Sequence, residues 1–114
     1  MTPREPAPSR PGPVDGDATP SLDDLRSRLR EAGLEPRTFG NAPGDTYGWH
    51  EHDRHKVLFC VEGSITFHTD EGDLLLETGD RIDLEPGTAH AATVHDDGVT
   101  CIEAYTDGPD AVPH

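Results

Sequence analysis

The sequence predicts an all-β domain, a small barrel or sandwich, with one helix in front of it and a disordered tail before that. Three observations carry this. From Thr38 onward, short runs rich in Val, Ile, Leu, Phe and Thr alternate with polar positions at period 2. Glycines punctuate nearly every junction between runs, at Gly48, Gly63, Gly72, Gly79, Gly87 and Gly98. Short strands with turn signals at such spacing mark sandwiches and barrels. The third is length: 114 residues make one domain, so any site lies inside the barrel or at its mouth.

Residues 1–20 hold six of the eleven prolines and almost nothing to bury. They read as a disordered tail. Residues 21–33 read as a helix. Ser21 stands at a capping position with Asp24 three residues on, and Leu22, Leu25, Leu29 and Ala32 share a face. Gly33 ends it. The predicted strands are 56–62, 64–69, 73–78, 81–85, 91–95 and 99–106, with Glu71-Gly72 as a tight hairpin turn. The folded domain is thus expected over 21–110, with its barrel over about 38–106.

The chain carries 9 Lys and Arg against 23 Asp and Glu, a formal charge of −14. A phosphate backbone or an anionic membrane needs a basic patch, so neither nucleic acid nor membrane is an expected partner. No apolar run nears the roughly 18 residues of a membrane span, and the N-terminus lacks a signal peptide's apolar centre. A cytoplasmic protein is expected, with Cys60 and Cys101 as free buried thiols.

His50, His52 and His55 fall within six residues. On a strand, His50 and His52 would share a face, the simplest way for one strand to offer two imidazoles to a metal. His90, after a Pro-Gly turn, offers a third. Three imidazoles facing into a barrel form an open site for Zn, Fe, Mn, Ni or Cu as a divalent ion. Cys60 shares the parity of Lys56 and Leu58, and Glu103 that of Tyr105. These four polar residues, together with Trp49 and Tyr47, are further candidates for contact with a ligand. His68 and His95 are expected on the surface. No residue is assigned a catalytic role, and no Ser-His-Asp set, phosphate loop or Cys-x-x-Cys is present.

The spacing resembles the cupin superfamily, in particular small single-domain bacterial cupins of the conserved-barrel (cupin 2) type. Their first motif, G-x5-H-x-H-x3,4-E-x6-G, is met by Gly44, His50, His52 and Gly63, with Lys56 at the glutamate position. Their second, G-x5-P-x-G-x2-H-x3-N, is met by Gly79, Gly87 and His90; Glu85 takes the proline position and Val94 the asparagine position. The resemblance covers about 38–106. It implies a jelly-roll barrel, often a homodimer, with a divalent metal at its centre and a small-molecule ligand or substrate.

Lys56, the only lysine, stands where the resemblance implies a carboxylate ligand. Three arrangements fit. Metal binds through His50, His52 and His90 with Lys56 turned away; or His55 swings in as a fourth ligand; or the barrel is metal-free and Lys56 holds an anion. The resemblance then implies an oxygenase or isomerase acting on a small oxygenated molecule, or a non-catalytic ligand-binding barrel.

Overall fold

The computed structural model describes residues 12–13 and 21–112. Apart from Gly12–Pro13, which form a two-residue strand β1, the expected tail lies outside the described residues. Helix α1 spans Leu22–Glu31. Its N-terminus is closed by a capping box: Ser21 Oγ accepts from the Asp24 amide at 3.1 Å, and the Ser21 amide donates to Asp24 Oδ2 at 3.4 Å. At the other end the Gly33 amide donates to the Arg30 carbonyl and the Leu34 amide to that of Leu29. That paired closure needs a left-handed residue, which Gly33 supplies with φ +81°. The helix therefore ends two residues before the expected boundary.

The remaining strands are β2 (Arg37–Asn41), β3 (Thr46–His50), β4 (His55–Thr69), β5 (Gly72–Glu77), β6 (Asp80–Leu84) and β7 (His90–Thr106). Among the described residues all pair antiparallel. The order is β1-β6-β4-β7-β2, with β3 also on β7 and β5 also on β4. The all-β jelly-roll expectation holds.

Two long strands replace four expected short ones. The sequence predicts breaks at Gly63 and at 96–98, yet β4 and β7 run through both. They do so by register shifts between Cys60 and Glu62 and between Gly63 and Ile65. Such bulges bend a strand without ending it. At the bend the backbones nearly touch: a Cβ on Gly63, whose φ is +78°, would lie 2.0 Å from the Gly98 carbonyl oxygen. The shifts also exchange parity. Leu58 and Cys60 face inward before the bend, Ile65 and Phe67 after it. The β4–β5 turn is displaced by one, since Gly72 is already paired with Thr69, leaving Asp70 and Glu71 as its tip.

The sheet has two buried faces. Inside, Leu58, Ile65, Phe67, Leu76, Ile82, Val94 and Cys101 are among the residues that form the barrel core. Outside, Val57, Phe59, Ile102 and Ala104 pack under Leu25 and Leu29 of α1. The stripe of leucines thus rests on the back of β4 and β7. No helix among the described residues is long and apolar enough to cross a membrane.

Candidate metal centre

His50, His52 and His90 come together. One ring nitrogen from each lies within 4.8 Å of the others, and the ring centroids are 4.3–5.4 Å apart. The route differs from a same-strand pair. His50 is the last residue of β3 and lies opposite His90 in the β3–β7 register. His52 lies beyond the strand, in a loop pinned where its carbonyl accepts from the Gly87 amide at 2.8 Å. The β3–β7 pairing and the 85–89 turn therefore assemble the cluster.

Hydrogen bonds orient two of the rings. His50 Nδ1 donates to the Gly48 carbonyl at 2.7 Å, and His90 Nδ1 donates to the Thr88 carbonyl at 2.8 Å. An imidazole whose Nδ1 carries the proton has its lone pair on Nε2, and such backbone bonds are the usual device that fixes a metal-binding tautomer. Burial pushes the His90 pKa down to about 4, with His50, Lys56 and His52 adding to the effect against the Thr88 carbonyl. Burial, then Lys56 and His50, lowers that of His52. These two rings are therefore neutral near pH 7, as metal ligation requires.

His52 is differently engaged. Its Nε2 lies 3.3 Å from Lys56 Nζ and its Nδ1 3.2 Å from the Tyr105 hydroxyl. An ammonium only donates, so Nε2 accepts and Nδ1 carries the proton. Lys56 Nζ also lies 3.4 Å from Glu103 Oε1, both side chains being about a tenth exposed. The lysine thus faces the cluster. The donor set, three imidazoles with two of them preset by backbone hydrogen bonds, fits a divalent transition ion. Ligation through Nε2 of His52 requires Lys56 to leave that nitrogen.

The cluster opens on a cavity of about 230 Å³. Its polar wall is formed by Arg37, Lys56, Glu103, Tyr105 and the histidines, its apolar wall by Phe39, Leu58, Ile65, Phe67 and Ala92, with Tyr47 beside them. The other candidates lie elsewhere. His55 is buried on the helix side of β4, its Nε2 3.0 Å from Asp83 Oδ1 and its Nδ1 3.5 Å from Glu85 Oε2. Because β4 already begins at His55, alternation turns it away from Lys56, and it does not join the three histidines. Cys60 faces inward as its parity implies, but deep in the core. Its thiol donates to the Gly63 carbonyl at 3.4 Å, and it does not line the cavity. Trp49 neither rims the cavity nor packs on α1; it is 60% exposed. His68 and His95 are half-buried rather than exposed, bonded to Asp73 and Thr93 and to Ser64 and Thr66 respectively. Arg37 and Phe39 were missed, because β2 is a short edge strand with weak alternation.

The barrel and its histidine cluster define a cupin. The cupin domain family model matches residues 38–102, more than half of the chain, and the chain belongs to that family. Among solved structures it is similar to the DMSP lyases RdDddP and RnDddQII, at 30% identity and a TM-score of 0.60, over 67% of this chain and 39% of that one. It spans about two-fifths of the length of that protein. An RmlC-like cupin from Shewanella frigidimarina is 22% identical, with a TM-score of 0.58 and 68% of each chain covered. KdgF from a Halomonas species is 20% identical, with a TM-score of 0.58, over 68% of this chain and 72% of that one. No curated protein matches the chain.

Proposed function

We propose that this cupin binds one divalent transition metal through His50, His52 and His90, and catalyses proton-transfer chemistry, isomerisation or elimination, on a small oxygenated molecule. The observation that carries the metal reading is the pair of backbone hydrogen bonds that aim Nε2 of His50 and His90 into the cavity. When bound, such an ion supplies Lewis-acid polarisation of a ligand oxygen. The chain's own groups supply the rest. Glu103 is a carboxylate base at the cavity wall, held by Lys56. Tyr105 offers a hydroxyl as proton donor beside His52. The apolar wall keeps water from the reacting carbon. These acid and base groups favour proton transfer over oxygenation, and the likeness to DMSP lyases at 30% identity agrees with it.

Elemental analysis of protein purified without a histidine tag tests the metal. About one ion per chain is expected, strongly reduced in each His→Ala variant. Full occupancy in a His50→Ala/His90→Ala double variant refutes the assignment. Deuterium incorporation from heavy water into small hydroxy and keto acids tests the chemistry, whereas dioxygen consumption would point to an oxygenase. A second reading, a metal-free binding barrel, is favoured by the contact of Lys56 with His52 Nε2. Tag-free protein that contains no metal and does not take it up would establish that reading instead.

A further inference from the structure

We infer that the cavity takes a small monocarboxylate, its carboxylate seated between Arg37 and Lys56. This rests on the reading of the cavity as the ligand site, but not on the presence of metal.

The placement follows from register. Arg37 lies opposite Glu103 in the β2–β7 pairing, and Glu103 lies opposite Leu58 in the β7–β4 pairing. Cross-strand partners share a face, so Arg37, Glu103 and Leu58 form one row across the interior. Lys56 and Tyr105 form the next row. Glu103 is therefore flanked by two cations, one straight across and one diagonal at 3.4 Å. One carboxylate against two cations leaves a positive charge in excess on this wall. The excess is built in a chain with 9 basic residues against 23 acidic ones, and it uses the only lysine. Lys56 is 7% exposed and pairs with Glu103 at 3.4 Å, so the charge in excess on this wall is that of Arg37, and a cationic wall in a half-apolar cavity calls for an anion. Arg37 is exposed at the mouth, where its planar fork can meet a carboxylate edge-on.

The cavity sets the size and the charge. At about 230 Å³ it suits an acid of a few carbons. Phe67, Ile65 and Leu58 receive the hydrocarbon part. In the metal-free cavity a single excess cation matches a monoanion, and a phosphate dianion would bring one negative charge too many.

Propionate titrated into the full chain, followed by amide NMR shifts, tests this in chelator-treated and in zinc-loaded protein. Saturable binding in the millimolar range is expected in both, with shifts at the cavity residues. Propionamide, the same shape without the charge, is expected to bind at least tenfold more weakly. Arg37→Gln, at an exposed position with little folding risk, is expected to weaken propionate at least tenfold. Glu103→Gln removes the carboxylate already held between the cations and is expected to tighten propionate severalfold. A merely structural role for Glu103 would not produce that gain. Equal binding of propionamide, no loss in Arg37→Gln, weaker propionate in Glu103→Gln, or phosphate binding to the chelator-treated protein tenfold tighter than propionate would each overturn the inference. Metal content measured on the same samples reports the metal reading separately, because propionate binding to chelator-treated protein does not depend on it.

Discussion

Reversing the charge of Lys56 is expected to tighten metal binding. Lys56 Nζ lies 3.3 Å from the Nε2 atom of His52 that the ion would use, so the ammonium competes with the ion both for the lone pair and by repulsion. A unit charge and a dication about 5 Å apart interact by about 2 kcal/mol in water and about 7 kcal/mol at an effective dielectric near 20. Glu103, 3.4 Å from Nζ, attracts the ion in both proteins and drops out of the difference; what reduces the gain is screening by water in the open cavity and the repulsion between Glu103 and a new carboxylate at position 56. What remains for Lys56→Glu to gain is about 1–3 kcal/mol, or roughly tenfold to hundredfold in affinity. The substitution also sets two carboxylates side by side. The metal-free variant is therefore expected to melt below the native protein, and to recover more than the native protein does on adding the ion. Calorimetric titration of both proteins with Zn²⁺, and with Fe²⁺ under anaerobic conditions, measures the difference. Equal or weaker affinity in Lys56→Glu would refute the reasoning, since it would mean that the ion does not sense the side chain at position 56.

Three further outcomes follow from the same structure. The His90 pKa is depressed to about 4 by burial, so the unfolded chain binds a proton that the folded chain refuses between about pH 6.5 and 4. The stability this group contributes is complete above about 6.5 and lost as pH falls towards 4, by about 3 kcal/mol at ~1.4 kcal/mol per pH unit; melting of chelator-treated protein is expected to fall across that window, and less steeply in His90→Gln. Cys60 and Cys101 are 1% and 0% exposed. DTNB is expected to find no fast-reacting thiol in native protein and two after denaturation; rapid labelling of either would contradict the packing. In Gly63→Ala the new methyl would lie 2.0 Å from the Gly98 carbonyl oxygen at a positive φ, and the clash with backbone is expected to cost several kcal/mol. A melting temperature within a few degrees of native would show that the β4 bend is not built as described.

What the sequence made legible was whatever depends on local period or on one turn. The capping box at Ser21 and Asp24, the leucine stripe of α1 and the inward parity of Leu58 and Cys60 all rest on neighbours within four residues, and all are found. The opposed directions of His55 and Lys56 belong to the same class. They follow from alternation once β4 begins at His55. The ends of β4 and β7 were less legible. Glycine in a strand pattern signals a turn and a bulge alike, and only the partner strand decides between them. Gly63 pairs with Val99 and touches the carbonyl of Gly98, 35 positions away, an approach that is open because Gly63 has no side chain.

Parity gives the face of a strand and nothing about depth along it, and the candidate site divides along that line. Cys60 and Lys56 face the same interior from the same strand, yet one is core and the other is cavity wall. The difference is set by the register of β7 against β4. Cys60 meets Cys101 and closes the core, whereas Lys56 meets Tyr105, with Glu103 one row away. No spacing within 56–60 encodes which residue of β7 lies across. The same holds for His50 and His52, whose i, i+2 spacing suggests one strand face. The strand stops at His50, and the 85–89 turn brings His52 back through its bond to Gly87. The two motifs are therefore parts of one device. The glycine and histidine of the second motif hold the two histidines of the first in place, Gly87 through a backbone bond and His90 through the β3 register. A change at Gly87 would thus be felt at His52, although the two lie 35 positions apart in the chain.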